Sequence, residues 1–180
     1  MGSRNYTPST MDVIGDLKNG MLVETTKEIS YLSWGVGVQA YIFTVYNRIA
    51  VFGLWLEVGA TSLVGAGALM LFNWKATVPV IAVQPISAVS TTIHAFIRGR
   101  RVSLAGTNVS TALSVVGTEG ISIGMATPGM ILGVAPSAAV PQSVSQIGVL
   151  SSVAVLTAGT GQFSLLYAPI DTGAYAEALL

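Results

Sequence analysis

The chain has 180 residues, of which 52% are apolar and only 9% charged, with 8 Lys+Arg balanced by 8 Asp+Glu. That length suits one domain, and a zero net charge with a pI near 6.5 argues against a phosphate-tracking nucleic-acid binder, which needs a basic face. Without Cys there is no disulfide framework, no Cys-ligated zinc and no thiol nucleophile, and a mean hydropathy of +0.69 leaves open how so apolar a chain stays in solution.

Read from its start, the chain opens on a polar arm, about residues 1–30, that concentrates charge: Arg4, Asp12, Asp16, Lys18, Glu24, Lys27 and Glu28. Pro8, Gly15, Asn19 and Gly20 break it, so it holds at most a short helix or turn around Met11–Lys18. It has too little apolar surface to fold alone and orders only against something else. The opening MGSRNYTPSTMDVIGDLKNG has no apolar core of the kind a signal peptide carries.

The body, residues 31–180, reads as β. Tyr41–Val45 and Arg48–Val58 are rich in Ile, Val, Phe, Tyr and Trp, which suit a pleated surface. Strict alternation places Ala50, Phe52, Leu54 and Leu56 on one face of the second run and Ile49, Val51, Trp55 and Glu57 on the other, so the strand is expected to be buried on both sides. Further strands are expected at Ala68–Asn73, Val78–Val83, Thr91–Ile97, Arg101–Ala105, Leu113–Val116, Ile121–Met125, Met130–Val134, Val149–Leu156 and Gln162–Ala168. Gly, Pro, Asn, Ser and Thr separate them, the rhythm of a sandwich or barrel. The expected fold is all-β: an antiparallel β-sandwich or barrel, jelly-roll-like, with an extended N-terminal arm.

Ile49–Phe72 is apolar enough to span a bilayer, since about 20 apolar residues suffice. Its four glycines, the Thr61-Ser62 pair and the balanced flanks Arg48 and Lys75 argue for strands instead, so no membrane partner is expected. A β body with so few charges must cover its surface, and self-association through Ala50, Phe52, Leu54 and Leu56 is the economical route. Ser and Thr would then supply an uncharged polar exterior.

Signals for chemistry are weak. His94 is the single His, and no G-x-S-x-G elbow presents a serine to it. Gly15–Gly20 has the first spacing of a phosphate loop but continues with Met21-Leu22 where Lys-Ser/Thr is needed. The acid pairs Asp12/Asp16 and Glu24/Glu28 sit beside Lys18 and Lys27 as solvated charges, and Glu57 needs a cation or a strand end. No catalytic residue, cofactor or metal is therefore expected. The cluster Arg98-Gly99-Arg100-Arg101 reads as a hairpin turn with Gly99 at positive φ, or as a contact to an acidic partner surface. Nucleic acid is not expected, because nothing else in the body adds positive charge.

The C-terminal run Gly159–Ala174, GTGQFSLLYAPIDTGA, resembles the closing strand and tail of small tailed-bacteriophage structural proteins. Those end in a Trp- or Tyr-bearing strand and a Pro-Leu-Asp-x-Gly-Ala turn; here Tyr167, Pro169, Asp171, Gly173 and Ala174 match and Ile170 departs. Phe43–Val45, Ile49–Val58 and Glu57-Val-Gly-Ala-Thr61 follow the same order upstream, so the similarity spans roughly residues 40–176. The resemblance implies a capsid decoration (cement) protein or head fibre, a homotrimer on the virion exterior, made in the host cytoplasm and bound to the major capsid protein. It carries no catalytic motif. Two departures are the heavily apolar Ile49–Phe72 and the longer arm. Arg4, Asn5, Tyr6 and Met11 in the arm, with Arg98, Arg100 and Arg101, are the expected capsid contacts. The alternatives are a tail-fibre or receptor-binding β module that uses Tyr167, Tyr175, Trp55 or Trp74 on sugars, and a membrane-inserted β protein.

Overall fold

The computed structural model describes residues 23–29, 39–90, 93, 95–104, 114–116, 130–151, 153–155 and 157–179. These form eleven strands and no helix: β1 (Val23–Ile29), β2 (Gln39–Tyr46), β3 (Ile49–Val58), β4 (Met70–Val78), β5 (Val80–Pro85), β6 (Arg101–Ser103), β7 (Ser114–Val116), β8 (Met130–Leu132), β9 (Val144–Ser151), β10 (Gly161–Pro169) and β11 (Tyr175–Ala178). They make two antiparallel sheets. The first runs β1-β10-β3-β6-β7, with β8 also on β3; the second runs β11-β2-β9-β4-β5. The fold is a β-sandwich.

Side chains of both sheets meet between the layers. Val51, Leu54, Phe163 and Leu165 from the first sheet and Phe43, Phe72, Ile147 and Val149 from the second are all 0% exposed. Phe72 and Phe163 touch edge to face across the gap, with ring centroids 6.3 Å apart. Burial of this apolar set drives the two layers together. The run Ile49–Phe72 owes its hydropathy to this core: it supplies β3 to one sheet and the start of β4 to the other. No helix among the described residues is long and apolar enough to cross a membrane.

Strand β3 does not alternate strictly. Its pairing with β10 shifts at Leu166/Tyr167, which face Gly53 and Val51 and leave Phe52 without an opposite residue. A bulge of this kind reverses which face the following residues occupy. The core side of β3 is therefore Ile49, Val51, Leu54, Leu56 and Val58, and the outer side carries Gly53, Trp55 and Glu57. The expectation of a strand apolar on both faces is corrected on this point. One core-facing set, broken by the bulge, looks like two when period 2 is imposed on it.

Other expectations also shift. Residues 23–29, assigned to the arm, form β1 and pair with β10 from Val23↔Tyr167 to Ile29↔Gly161. The described part of Thr91–Ile97 is not a strand. Ala95 has φ 62, and the Ile93 and Ala95 N–H groups donate to the Ala68 and Leu63 carbonyls in a looped connection. The strand expected at Val149–Leu156 starts earlier, at Val144. Ile121–Met125 lies outside the described residues.

One end of the sandwich is tied where two of the sheet-to-sheet turns meet. β2 passes to β3 through Asn47, at φ 56, and β10 passes to β11 through a turn with Gly173 at φ 70. Asn47 donates through Nδ2 to the Thr172 carbonyl at 3.1 Å and accepts from the Ser143 N–H at 3.0 Å. Asp171 accepts from the Arg48 backbone N–H at 3.1 Å and from its guanidinium, with Nη2 at 2.6 Å. The Arg48 guanidinium holds the Asp171 carboxyl below the usual carboxylate range.

Candidate functional site

The second sheet presents the most differentiated surface of the molecule. Cross-strand pairing lays out its outer face in rows, because partners in an antiparallel ladder share a side, and the larger side chains there bury Thr44 and Asn73. Tyr175, Tyr46 and Val144 form one row; Glu177, Thr44, Gln146 and Lys75 the next; Tyr41, Gly148 and Asn73 the third. Tyr46 and Tyr175 stack with centroids 4.4 Å apart, and the Tyr46 hydroxyl donates to Glu177 Oε1 at 2.8 Å. That bond, with partial desolvation and the carboxylate's charge, pushes the Tyr46 phenol up to about 12. Lys75 Nζ lies 3.9 Å above the Tyr41 ring. Gly148 leaves room for both neighbours, since a Cβ there would meet Asn73 Oδ1 at 2.7 Å and Tyr41 Cδ1 at 2.9 Å.

Sequence reading missed this face for a specific reason. Tyr41 and Tyr46 are an odd number of residues apart, so period 2 places them on opposite sides. The β2–β9 register shifts between Tyr41 and Phe43, leaving Ile42 as the extra residue and bringing both tyrosines to one side. The stack with Tyr175 needs the β11–β2 pairing, which no local pattern announces.

The free edge of the same sheet is different in kind. Every residue of β5 is exposed, with Val80 at 87%, Ile81 at 37% and Val83 at 38%. Between Lys75 and Arg98 the sequence has no Lys, Arg, Asp or Glu. Beyond β5, the chain caps the rest of β4: Ser87 Oγ accepts from the Phe72 N–H and Ser90 Oγ from the Met70 N–H, both at 3.0 Å. β5 is thus an apolar edge strand without charged protection, in contrast to β11, which carries Glu177 at the other edge of the same sheet.

The expected contact residues are distributed as follows. Arg4, Asn5, Tyr6 and Met11 lie outside the described residues, as does His94. In the basic cluster Gly99 has φ 80, as the turn requires, and Arg98 is exposed. Arg100 stacks over Phe96 at 4.5 Å, and Arg101 pairs with Glu57 at 2.6 Å beside Trp55. The cation that Glu57 needed is Arg101, so of the three arginines only Arg98 projects without such a contact in the described structure. Leu54 and Leu56, expected at an oligomer interface, are 0% exposed in the inter-sheet core and are closed to a second copy; Ala50 is also buried and Phe52 half-buried at the bulge.

The residues that carry the C-terminal resemblance have structural work. The Tyr167 side chain, 3% exposed, crosses from the first sheet to the second, where its oxygen accepts from the Ala176 N–H at 3.0 Å. It is not available to a sugar, and Trp74 faces inward with its neighbour Ile147, half-buried. Among the described residues no three His, Cys, Asp or Glu gather as a metal site. No family model, no curated protein and no solved structure matches this chain.

Proposed function

We propose that this protein is a structural β-sandwich subunit that works by surface contact, decorating the outside of a phage head through association with itself and with the major capsid protein. One observation carries the reading: much of the exposed apolar surface stands on outer strands and loops. Val80, Ile97, Ile131 and Val153 are 87%, 53%, 59% and 61% exposed. Apolar side chains so placed mark contact surfaces. Repeated weak contacts on a symmetric shell then add up through multivalency. The test is co-sedimentation with empty phage heads built from the cognate capsid protein, comparing the full chain with a form lacking residues 1–22, which keeps β1. Binding by the full chain and its loss on truncation support decoration through the arm. Absence of binding by the full chain overturns it.

A second reading, a receptor-binding module, is favoured by the sheet face that carries Tyr46 and Tyr175 at one end and Tyr41 at the other, with Gln146, Lys75 and Glu177 between them. Aromatic faces flanked by amides and charges suit sugar rings and their hydroxyls. Saturable binding on a glycan array, lost in Tyr175→Ala, would select this reading over decoration.

A further inference from the structure

We infer that β5 is a self-association strand, which meets β5 of a second copy across a twofold axis; this deepens the assembly reading above and rests on it. The occupant follows from a comparison of sheet edges. β1 carries Glu24, Lys27 and Glu28, and β11 carries Glu177. β7 and β8 are uncharged but have only three residues each, too short to match the six of β5. β5, VIAVQP, carries no charge, and its apolar side chains reach solvent, Val80 almost fully and Ile81 and Val83 over little more than a third of their surface. A charged edge set against it would bring its carboxylates or ammonium next to Val80, Ile81 and Val83 with no partner for them, which is costly. A second β5 brings only uncharged side chains, and a twofold contact requires that self-complementarity.

The prolines agree with this. Pro79 precedes the strand and Pro85 is its last residue. In an antiparallel pair centred near Ala82 they fall at the ends of the shared ladder, where a missing N–H costs least. The β4–β5 ladder shifts register between Trp74 and Ala76, placing Ala82 and Val83 at a bulge opposite Lys75. The bulge twists the edge and limits the shared ladder to a few residues, so packing of Val80, Ile81 and Val83 carries most of the contact. Isologous pairing gives two copies, where the phage resemblance implied three.

The experiment is light scattering on the full chain and on Ala82→Lys, without detergent, with circular dichroism and thermal unfolding as folding controls. The native chain is expected at twice its 18.6 kDa mass and Ala82→Lys at the single-chain mass with an unchanged unfolding curve. Mixing Ala82→Lys with Ala82→Glu is expected to restore the pair, because opposite charges then face across the axis. If Ala82→Lys does not fold, Val80→Lys, at a residue 87% exposed, is read in its place. A native monomer, a native trimer, or a variant that keeps the two-chain mass overturns the proposal. Head binding that persists in a monomeric Ala82→Lys leaves decoration standing, whereas loss of head binding by a dimeric native chain counts against decoration alone.

Discussion

Asp171 and Arg48 show how one pair serves the whole fold. The pair joins the turn after β2 to the turn after β10, and with Asn47 it fixes the angle at which the chain crosses between sheets. Asp171→Asn keeps the shape but loses the charge, and should lower unfolding stability by about 1–2 kcal/mol in urea at neutral pH. That is below the cost of breaking a fully buried pair, because the Arg48 side chain is 39% exposed. The pH dependence has a definite sign. The folded carboxyl ionises below its ordinary value of 3.8, so the stabilisation is present above that pH and is lost as pH falls below it. Native protein should therefore weaken towards pH 3 more steeply than Asp171→Asn.

Tyr46 behaves in the opposite sense. Its phenol is held protonated to about 12 against an ordinary 10.0. Its contribution is present below pH 10.0 and disappears as pH rises from there towards 12. A tyrosinate absorbance titration should show the Tyr46 phenol ionising late, at about 12, in the native chain. In Glu177→Gln that ionisation should move back towards 10.0, since the hydrogen bond to the carboxylate is the largest cause of its shift.

Among the elements, the bulges decide what period 2 can and cannot reveal. Gln162–Ala168 and the start of Arg101–Ala105 were legible as strands because β-branched and aromatic residues cluster between turn formers. Val78–Val83 instead runs across the turn at Pro79, with Val78 ending β4 and only Val80–Val83 in β5. The facing of β3 was not legible, because the bulge at Phe52 reverses the alternation without any sequence mark such as a glycine in the left-handed region. β1 was hidden by its charges, VETTKEI: it is an edge strand, where solvated side chains are tolerated and Lys and Glu discourage further pairing. The correction at β3 has a measurable consequence. Leu54→Ala should cost about 3 kcal/mol of stability, the range for emptying a well-packed core site, and should leave the state of association unchanged. An interface role for Leu54 would give the reverse: a small stability change and a lower mass. Gly148→Ala should cost about 1–3 kcal/mol, because the added methyl pushes into Asn73 and Tyr41.

For the molecule as a whole, the low charge content has a physical location. The sandwich buries most of its large apolar side chains between the sheets and keeps a polar, tyrosine-rich face on the second sheet. It leaves the apolar remainder at β5 and at exposed positions such as Ile97, Ile131 and Val153. Composition announced that surface had to be covered; it could not say which strand, because that depends on the order β11-β2-β9-β4-β5 and on where the sheet stops. The likeness at the C terminus reads similarly. Tyr167, Asp171 and Gly173 hold a corner together, so their pattern reports how the strands connect and leaves the partner to experiment.

The measurement closest to the centre of this account is the solution mass of the native chain by light scattering, in buffer without detergent, over a range of concentrations. A stable mass of two chains is expected, falling to one in Ala82→Lys. A single-chain mass of 18.6 kDa at every concentration would contradict the claim that the exposed apolar strand exists for assembly.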